Sequence, residues 1–381
     1  MTGFNSSMPS PGPSSLTQSL LLFTLMAVAS AFSPQAAPRD ISVLANPCLL
    51  RLAPHGSSKR FLPMRRAKMM MALSDGSDAL QADTYDGIAF GYMAKLSPDK
   101  IEEALDLLKR SLAIRLKVHG PDHPDVANSH FEVAIVCSRL EKFQEALEEY
   151  TKCLAIRIKA HGLDHPDVAY AYDGIADMHY FLSKYDEALE EYKKSVAIKI
   201  KEHGPDHPFV VASYEPMAHT YYAQGKCKEA LALYQKALAI QMNVDEPDDV
   251  AVALSHFDMA KVHASKGRHT QALQLYQKSV DTFLLNLAEE PNHTLAASAY
   301  DGMAGVFVTQ GRYAGALDLL KKSLSIRIEA HGPDHPDVAD SYDFIAYVYK
   351  QMGKREEALG NLMFTLKVRW FEKKAEAIRA K

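Results

Sequence analysis

The chain has one tryptophan, Trp370, in 381 residues and only four cysteines: Cys48, Cys137, Cys153 and Cys227. No two of the cysteines form a Cys-x-x-Cys pair, and the chain is far longer than a small secreted scaffold, so neither a zinc site nor a disulfide framework is implied. There is no glycine-rich phosphate loop, no Gly-x-Ser-x-Gly elbow and no His-Glu-x-x-His, which leaves no catalytic constellation to build on. An excess of basic charge is also missing. The formal net charge is −4, which argues against nucleic acid as a partner. The apolar run Leu20–Ala31 is too short to span a bilayer.

The charge is unevenly distributed. Residues 1–78 hold seven Lys/Arg against Asp40, Asp75 and Asp78, which leaves the remainder at a net of −8. The basic leader begins with that apolar run and ends it in Ala29-Ser30-Ala31, small residues that fit a signal-peptidase site. It continues through a Ser-, Pro-, Ala- and Arg-rich stretch, a composition that does not fold alone. The expected divisions are a signal peptide over 1–31 and a transit-peptide-like segment over 32–72.

What the chain has instead is repetition. His-Gly-Pro-Asp-His-Pro-Asp-Val-Ala starts at His119 and His331 and, with Leu163 for the first proline, at His161. A near copy starts at His203, with Phe209 in place of the second aspartate. The copies at His119, His161 and His203 lie 42 residues apart, a fixed period that is the signature of stacked like units. A small residue marks each unit (Ala89, Ala134, Ala176, Ala218, Ala260, Ala304, Ala346), and a second follows (Ala104, Ala146, Ala188, Ala230, Ala272, Ala316, Ala358). Seven units result. A two-residue surplus falls near Glu289–Asn292, where the histidine motif has decayed, and the first unit has an extra Ser97-Pro98-Asp99.

Each unit reads as two helices. Tyr172, Ile175, Ala176 and His179 share one helical face, and Tyr185 through Ala188, Leu189, Tyr192, Val196 and Ile200 form another. Between units, Gly162 suits the left-handed end of a helix and Pro166 the first turn of the next. Asp167 then faces that helix's positive end. Cys137 and Cys153 fall at core positions, where buried free thiols are expected. The pairs His119/His123, His161/His165, His203/His207 and His331/His335 do not make a metal site. Gly and Pro break any helix between them, and separate copies do not converge on one centre. The acidic residues recur once per unit and form no single close pair, so no enzyme is expected.

Tyr172-Asp173-Gly174-Ile175-Ala176, Tyr185-Asp186-Glu187-Ala188-Leu189-Glu190-Glu191-Tyr192, Ala197-Ile198 and His203-Gly204-Pro205-Asp206-His207-Pro208, with their counterparts through residues 85–366, resemble the tetratricopeptide repeat, above all the 42-residue variety of kinesin light chains. The resemblance implies an all-α fold, a right-handed superhelical solenoid of seven helix-turn-helix repeats over 79–366, with 367–381 as a C-terminal capping helix that contains Trp370 and Phe371. Residues 1–78 show none of the heptads by which light chains pair with a motor. Separately, Ala29-Ser30-Ala31-Phe32-Ser33-Pro34 resembles the ASAF motif of bipartite plastid-targeting leaders. That implies a mature chain from near Met69–Ala72 in the plastid stroma; plain secretion is the alternative, for which Asn292-His293-Thr294 would offer a glycan site.

The resemblance also implies a concave groove lined by first helices. One inward position is Asp86, Asp173, Glu215, Asp301 and Asp343, with Phe131 and Phe257 in the other two units beside Glu132 and Asp258. One turn further lie Phe90, Ile135, Asp177, His219, Lys261, Gly305 and Tyr347. Such a groove would favour an extended basic or aromatic peptide. The same acids could instead serve helix starts or pair with neighbouring Lys/Arg. Light-chain repeats usually carry asparagine here, so their peptide preference does not carry over. The expected function is therefore a scaffold that binds a protein or peptide, without cofactor or metal and without a membrane span in the mature chain. The alternative is an assembly factor or regulatory subunit that contacts an enzyme through second-helix faces and the divergent fifth repeat.

Overall fold

A computed structural model describes residues 78–93, 98–244, 248–286, 294–356 and 362–379. The expected signal and transit segments, Cys48, Asn292 and the surplus near 289–292 lie outside these residues. The described residues form fourteen helices in seven consecutive hairpins: α1 (Asp78–Met93) with α2 (Pro98–His119), α3 (Pro124–Arg139) with α4 (Phe143–His161), α5 (Pro166–Phe181) with α6 (Tyr185–His203), α7 (Pro208–Ala223) with α8 (Cys227–Met242), α9 (Asp249–Ser265) with α10 (His269–Asn286), α11 (Thr294–Thr309) with α12 (Tyr313–His331), and α13 (Pro336–Glu356) with α14 (Leu362–Arg379). Each helix packs first on its hairpin partner and then on the adjoining helix of the next hairpin. This is the nearest-neighbour architecture of a solenoid.

The histidine motif writes the joints. Gly120, Gly162, Gly204 and Gly332 take φ of +80 to +89°, and the Gly162 N–H donates to the Ile158 carbonyl at 2.9 Å, closing α4. The proline two residues before each Val-Ala or Val-Val pair then occupies the first turn of the next helix, where its missing N–H costs nothing. The cap itself is the second histidine of each motif. His165 Nδ1 accepts the Asp167 N–H at 3.2 Å, and His123, His207 and His335 do the same in their joints. The sequence pattern places the start signal on the proline and the aspartate; the structure adds the histidine before them.

The repeated alanines let helices approach. Those at the first small position, from Ala89 to Ala304, are fully buried, as are Ala104, Ala146, Ala188, Ala230, Ala272 and Ala316. Between hairpins sits one large side chain per joint: Leu108, Tyr150, Tyr192, Tyr234, Tyr276 and Leu320, all buried. Burial of a side chain of leucine size contributes about 1.5–3 kcal/mol relative to exposure, so these residues tie each unit to the next.

The seventh hairpin differs from the expected boundaries. α13 runs on to Glu356, about five residues beyond the end of the other first helices, and α14 is one helix from Leu362 to Arg379. Residues 367–379 are therefore part of this second helix and not a separate capping helix. Ala375 and Ile378 pack on Val338, Ala339 and Tyr342 of α13, so α14 is the second helix of the hairpin. Ala358 lies outside the described residues.

Candidate functional site

Most of the acids expected to line the groove turn inward, because each has a partner built into the same joint. Asp173, 1 % exposed, receives Lys199 Nζ at 2.5 Å and the Ser213 hydroxyl at 2.8 Å, and Lys199 also donates to Ser213 at 2.7 Å. Lys199 lies 26 positions further on, on the second helix, and Ser213 lies 40 further, on the next first helix. The same spacing recurs at Asp301, where Arg327 donates at 2.6 Å to the carboxylate and at 2.5 Å to Ser341. It recurs at Glu215, with Gln241 at 2.8 Å and Ser255. In the first unit, lengthened in its turn, Arg115 joins Asp86 at 2.6 Å to Ser129 at 2.7 Å.

Two units break the pattern, and they break it consistently. Where the acid is Phe131, the base is Arg157, whose guanidinium lies 4.6 Å above the Phe131 ring, and the third place is Ala171. Where it is Phe257, the second and third places are Phe283 and Ala297, both buried. A hydroxyl with no acid to serve would be a buried unsatisfied donor, so the change at one position requires the change at the other. This sets Asp86, Asp173, Glu215 and Asp301 inside the stack as bridges between hairpins, which corrects their expected place in the groove. Phe131 is likewise buried, against Tyr150, and Phe257 sits half-buried against Tyr276 at 5.6 Å. Asp343 is bound by Arg379 at 2.6 Å.

The second row is open at its ends and sealed in its middle. Asp177 is fully buried and accepts from the Tyr192 hydroxyl. His219 is 4 % exposed and meets Asp258 at 2.9 Å; Lys261 approaches the same carboxylate at 3.7 Å. Towards one end Ile135 is half-buried and Phe90 is 38 % exposed. Towards the other, Gly305 is half-buried and Tyr347 is 40 % exposed. The exposed large apolar groups of this row are therefore the aromatics of the first and seventh units.

Glu132 occupies the position beside Phe131 in a setting rich in carboxylates. Burial, then the Asp86 carboxylate, push it up to about 8, against which Arg115 works in the opposite direction. Cys137 and Cys153 are buried free thiols as expected, and burial pushes them up to about 12 and about 11, so neither is a ready nucleophile. Among the described residues no group of three or more His, Cys, Asp or Glu is placed to hold a metal ion. Among them, too, no helix is long and apolar enough to cross a membrane.

Comparison with known proteins agrees with this geometry. The family model described as tetratricopeptide repeat matches residues 99–159, 132–201, 167–242, 209–284 and 290–363. No protein of curated function is matched. Among solved structures, the nearly identical TPR-like repeats of a candidate kinesin light chain from Podosopora anserina are 24 % identical, with a TM-score of 0.47, covering 55 % of this chain and 98 % of that one. The apo form of RapI is 16 % identical, with a TM-score of 0.53, covering 78 % of this chain and 98 % of that one. The likeness to RapI, at this identity, speaks for the fold alone.

Proposed function

Because the chain belongs to the tetratricopeptide repeat family, a family of protein-interaction scaffolds, we propose that it holds an extended segment of a partner protein along its first helices, gripped at the two open ends of the second row. The observation that carries this reading is the pair of equivalent aromatics, Phe90 and Tyr347, left exposed in the first and seventh units while the row between them is filled. A partner segment with aromatic side chains would stack on them, and basic side chains would meet Asp83, which pairs with Arg115 at 2.9 Å but keeps 63 % of its side chain exposed. The internal acids then have a structural task and the end positions a binding one. No catalytic role is assigned.

The test is partner capture from the native compartment by wild type and by the double variant Phe90→Asp/Tyr347→Asp, with helical circular dichroism recorded for both. Equal recovery by a folded double variant would remove the groove reading. A second reading has one observation in its favour. Unit five lacks the acid, base and hydroxyl bridge altogether, and no histidine caps its first helix, since Asp248 takes that place. If unit five is the docking element of an assembly factor, exchanging it for a copy of unit two, which also opens with serine and precedes alanine, abolishes capture while the end variants do not. We further propose a plastid location on the strength of the leader motif; a fluorescent protein fused behind residues 1–72 that stays out of the plastid would refute it.

A further inference from the structure

The joints between hairpins are not chemically equal. His123, His165, His207 and His335 each accept a backbone N–H at Nδ1, at 3.2–3.3 Å, and so cap the helix that follows. Acceptance needs the lone pair of Nδ1 and is lost when that nitrogen is protonated. Each ring also stacks on the histidine four residues earlier, with centroids 4.4–4.7 Å apart.

In three joints a carboxylate waits beside the same nitrogen. Asp125 stands 3.5 Å from His123 Nδ1, Asp167 3.7 Å from His165 Nδ1 and Asp337 3.4 Å from His335 Nδ1. A proton that arrives there exchanges the cap bond for an ion pair. The joint between α6 and α7 has no such reserve. Its carboxylate position is Phe209, whose ring lies 4.9 Å from His207 and 5.0 Å from His203. The charged and titratable groups along the elements at this turn include Lys201, Glu202 and His203 at the end of α6, Asp206 in the turn, Tyr214 on α7 and Lys236 of α8, 5.9 Å over the Tyr214 ring. Lys199 and Glu215 are engaged by Asp173 and Gln241. Lys201 is paired with Asp164. Among the described residues no carboxylate lies within ion-pairing distance of His207.

We propose that the α6–α7 joint is an acid-loosened hinge, capped by neutral His207 and uncapped by its protonation, which frays the first turn of α7 while the other histidine joints hold. Burial, then the His203 imidazole, depress His207 below its ordinary value. A depressed base contributes its stabilisation above the unfolded value of 6.5 and loses it as pH falls through the lower folded value. The window is therefore mildly acidic. A partner held along the start of α7 would be loosened there; that consequence rests on the scaffold reading, whereas the hinge does not.

Hydrogen exchange of the full chain at pH 7.5 and 5.5, expressed as protection factors, tests the hinge. Peptides over 205–214 should lose about fivefold in protection on acidification, the scale of a lost helix cap, while those over 163–172 and 333–342 stay level. Phe209→Asp supplies the missing carboxylate and should abolish the loss. His207→Asn keeps a cap that does not titrate and should do the same. Equal losses at all three joints would overturn the proposal, as would undiminished acid sensitivity in Phe209→Asp. If either variant fails to fold, titration of the His207 ring in wild type decides: a midpoint at or above 6.5 refutes the hinge.

Discussion

Gly174 of α5 lies against the ring of Tyr150 of α4: a β-carbon at Gly174 would meet Cε1 of that ring at 2.6 Å. The same approach recurs between Gly302 and Tyr276, at 2.6 Å to Cε1. Gly87, at the equivalent place in the first unit, has nothing within 4 Å. The tyrosines are fixed by complete burial and cannot retreat.

Alanine at these positions separates clash from helix propensity. Gly174→Ala should destabilise by about 1–3 kcal/mol through overpacking, and adding Tyr150→Leu, the residue type found at Leu108 and Leu320, should recover much of it. Gly87→Ala should stabilise by up to about 1 kcal/mol, since only backbone entropy changes. Chemical denaturation of the three variants checks both signs.

The Asp173–Lys199–Ser213 bridge predicts a strong asymmetry. Asp173→Ala strands a buried ammonium and should cost about 3–5 kcal/mol. The triple change Asp173→Phe/Lys199→Arg/Ser213→Ala copies the second unit's Phe131, Arg157 and Ala171, and should cost less than the single change. A triple variant weaker than Asp173→Ala would show that the substitution pattern between units is not a physical compensation.

Turns within hairpins place one residue in the left-handed region. Gly225, Gly267 and Gly311 fill it in three units, but Ser183 does so with φ of 60°. Relief of that strain should let Ser183→Gly raise stability by about 1 kcal/mol. Thermal unfolding measures it, and a lowered midpoint would contradict the strain.

Glu132 predicts a pH dependence of the opposite sense to the hinge. An acid raised from 4.5 to about 8 contributes stability that is full below its unfolded value and lost as pH rises through the folded one. Wild type should therefore weaken between pH 5 and 9 relative to Glu132→Gln. Parallel melting profiles for the two proteins would show that the carboxyl is not held protonated.

The hairpins were legible because their signals are local. Gly162 and Pro166 stop and start helices through their own backbones, and the alanines mark the period. The site was less legible, because Asp173 in isolation reads equally as a groove acid or a paired one. What decides it is the company at 26 and 40 positions away, Lys199 and Ser213 against Arg157 and Ala171 beside Phe131. That correlation was present in the sequence but appears only when units are compared across their joints. The histidine caps were hidden for another reason: His165 does a job usually held by Ser, Asp or Asn, and only the Nδ1 geometry reveals it. The α13 extension breaks the period, so a fixed 42-residue ruler misplaced the last helix.

The bridges across joints also impose a grammar on the order of modules. A unit that ends its sentence with a lysine or arginine bound to an acid must be followed by one that opens with serine, whereas a phenylalanine unit must be followed by alanine. A tandem copy of unit three would set Asp173 and Lys199 against Ala171 of its duplicate and leave both short of a hydroxyl. Lengthening such an array by simple duplication is thus free only where neighbouring modules already agree, and the two phenylalanine units are the places where the lineage could change its reading frame of polarity.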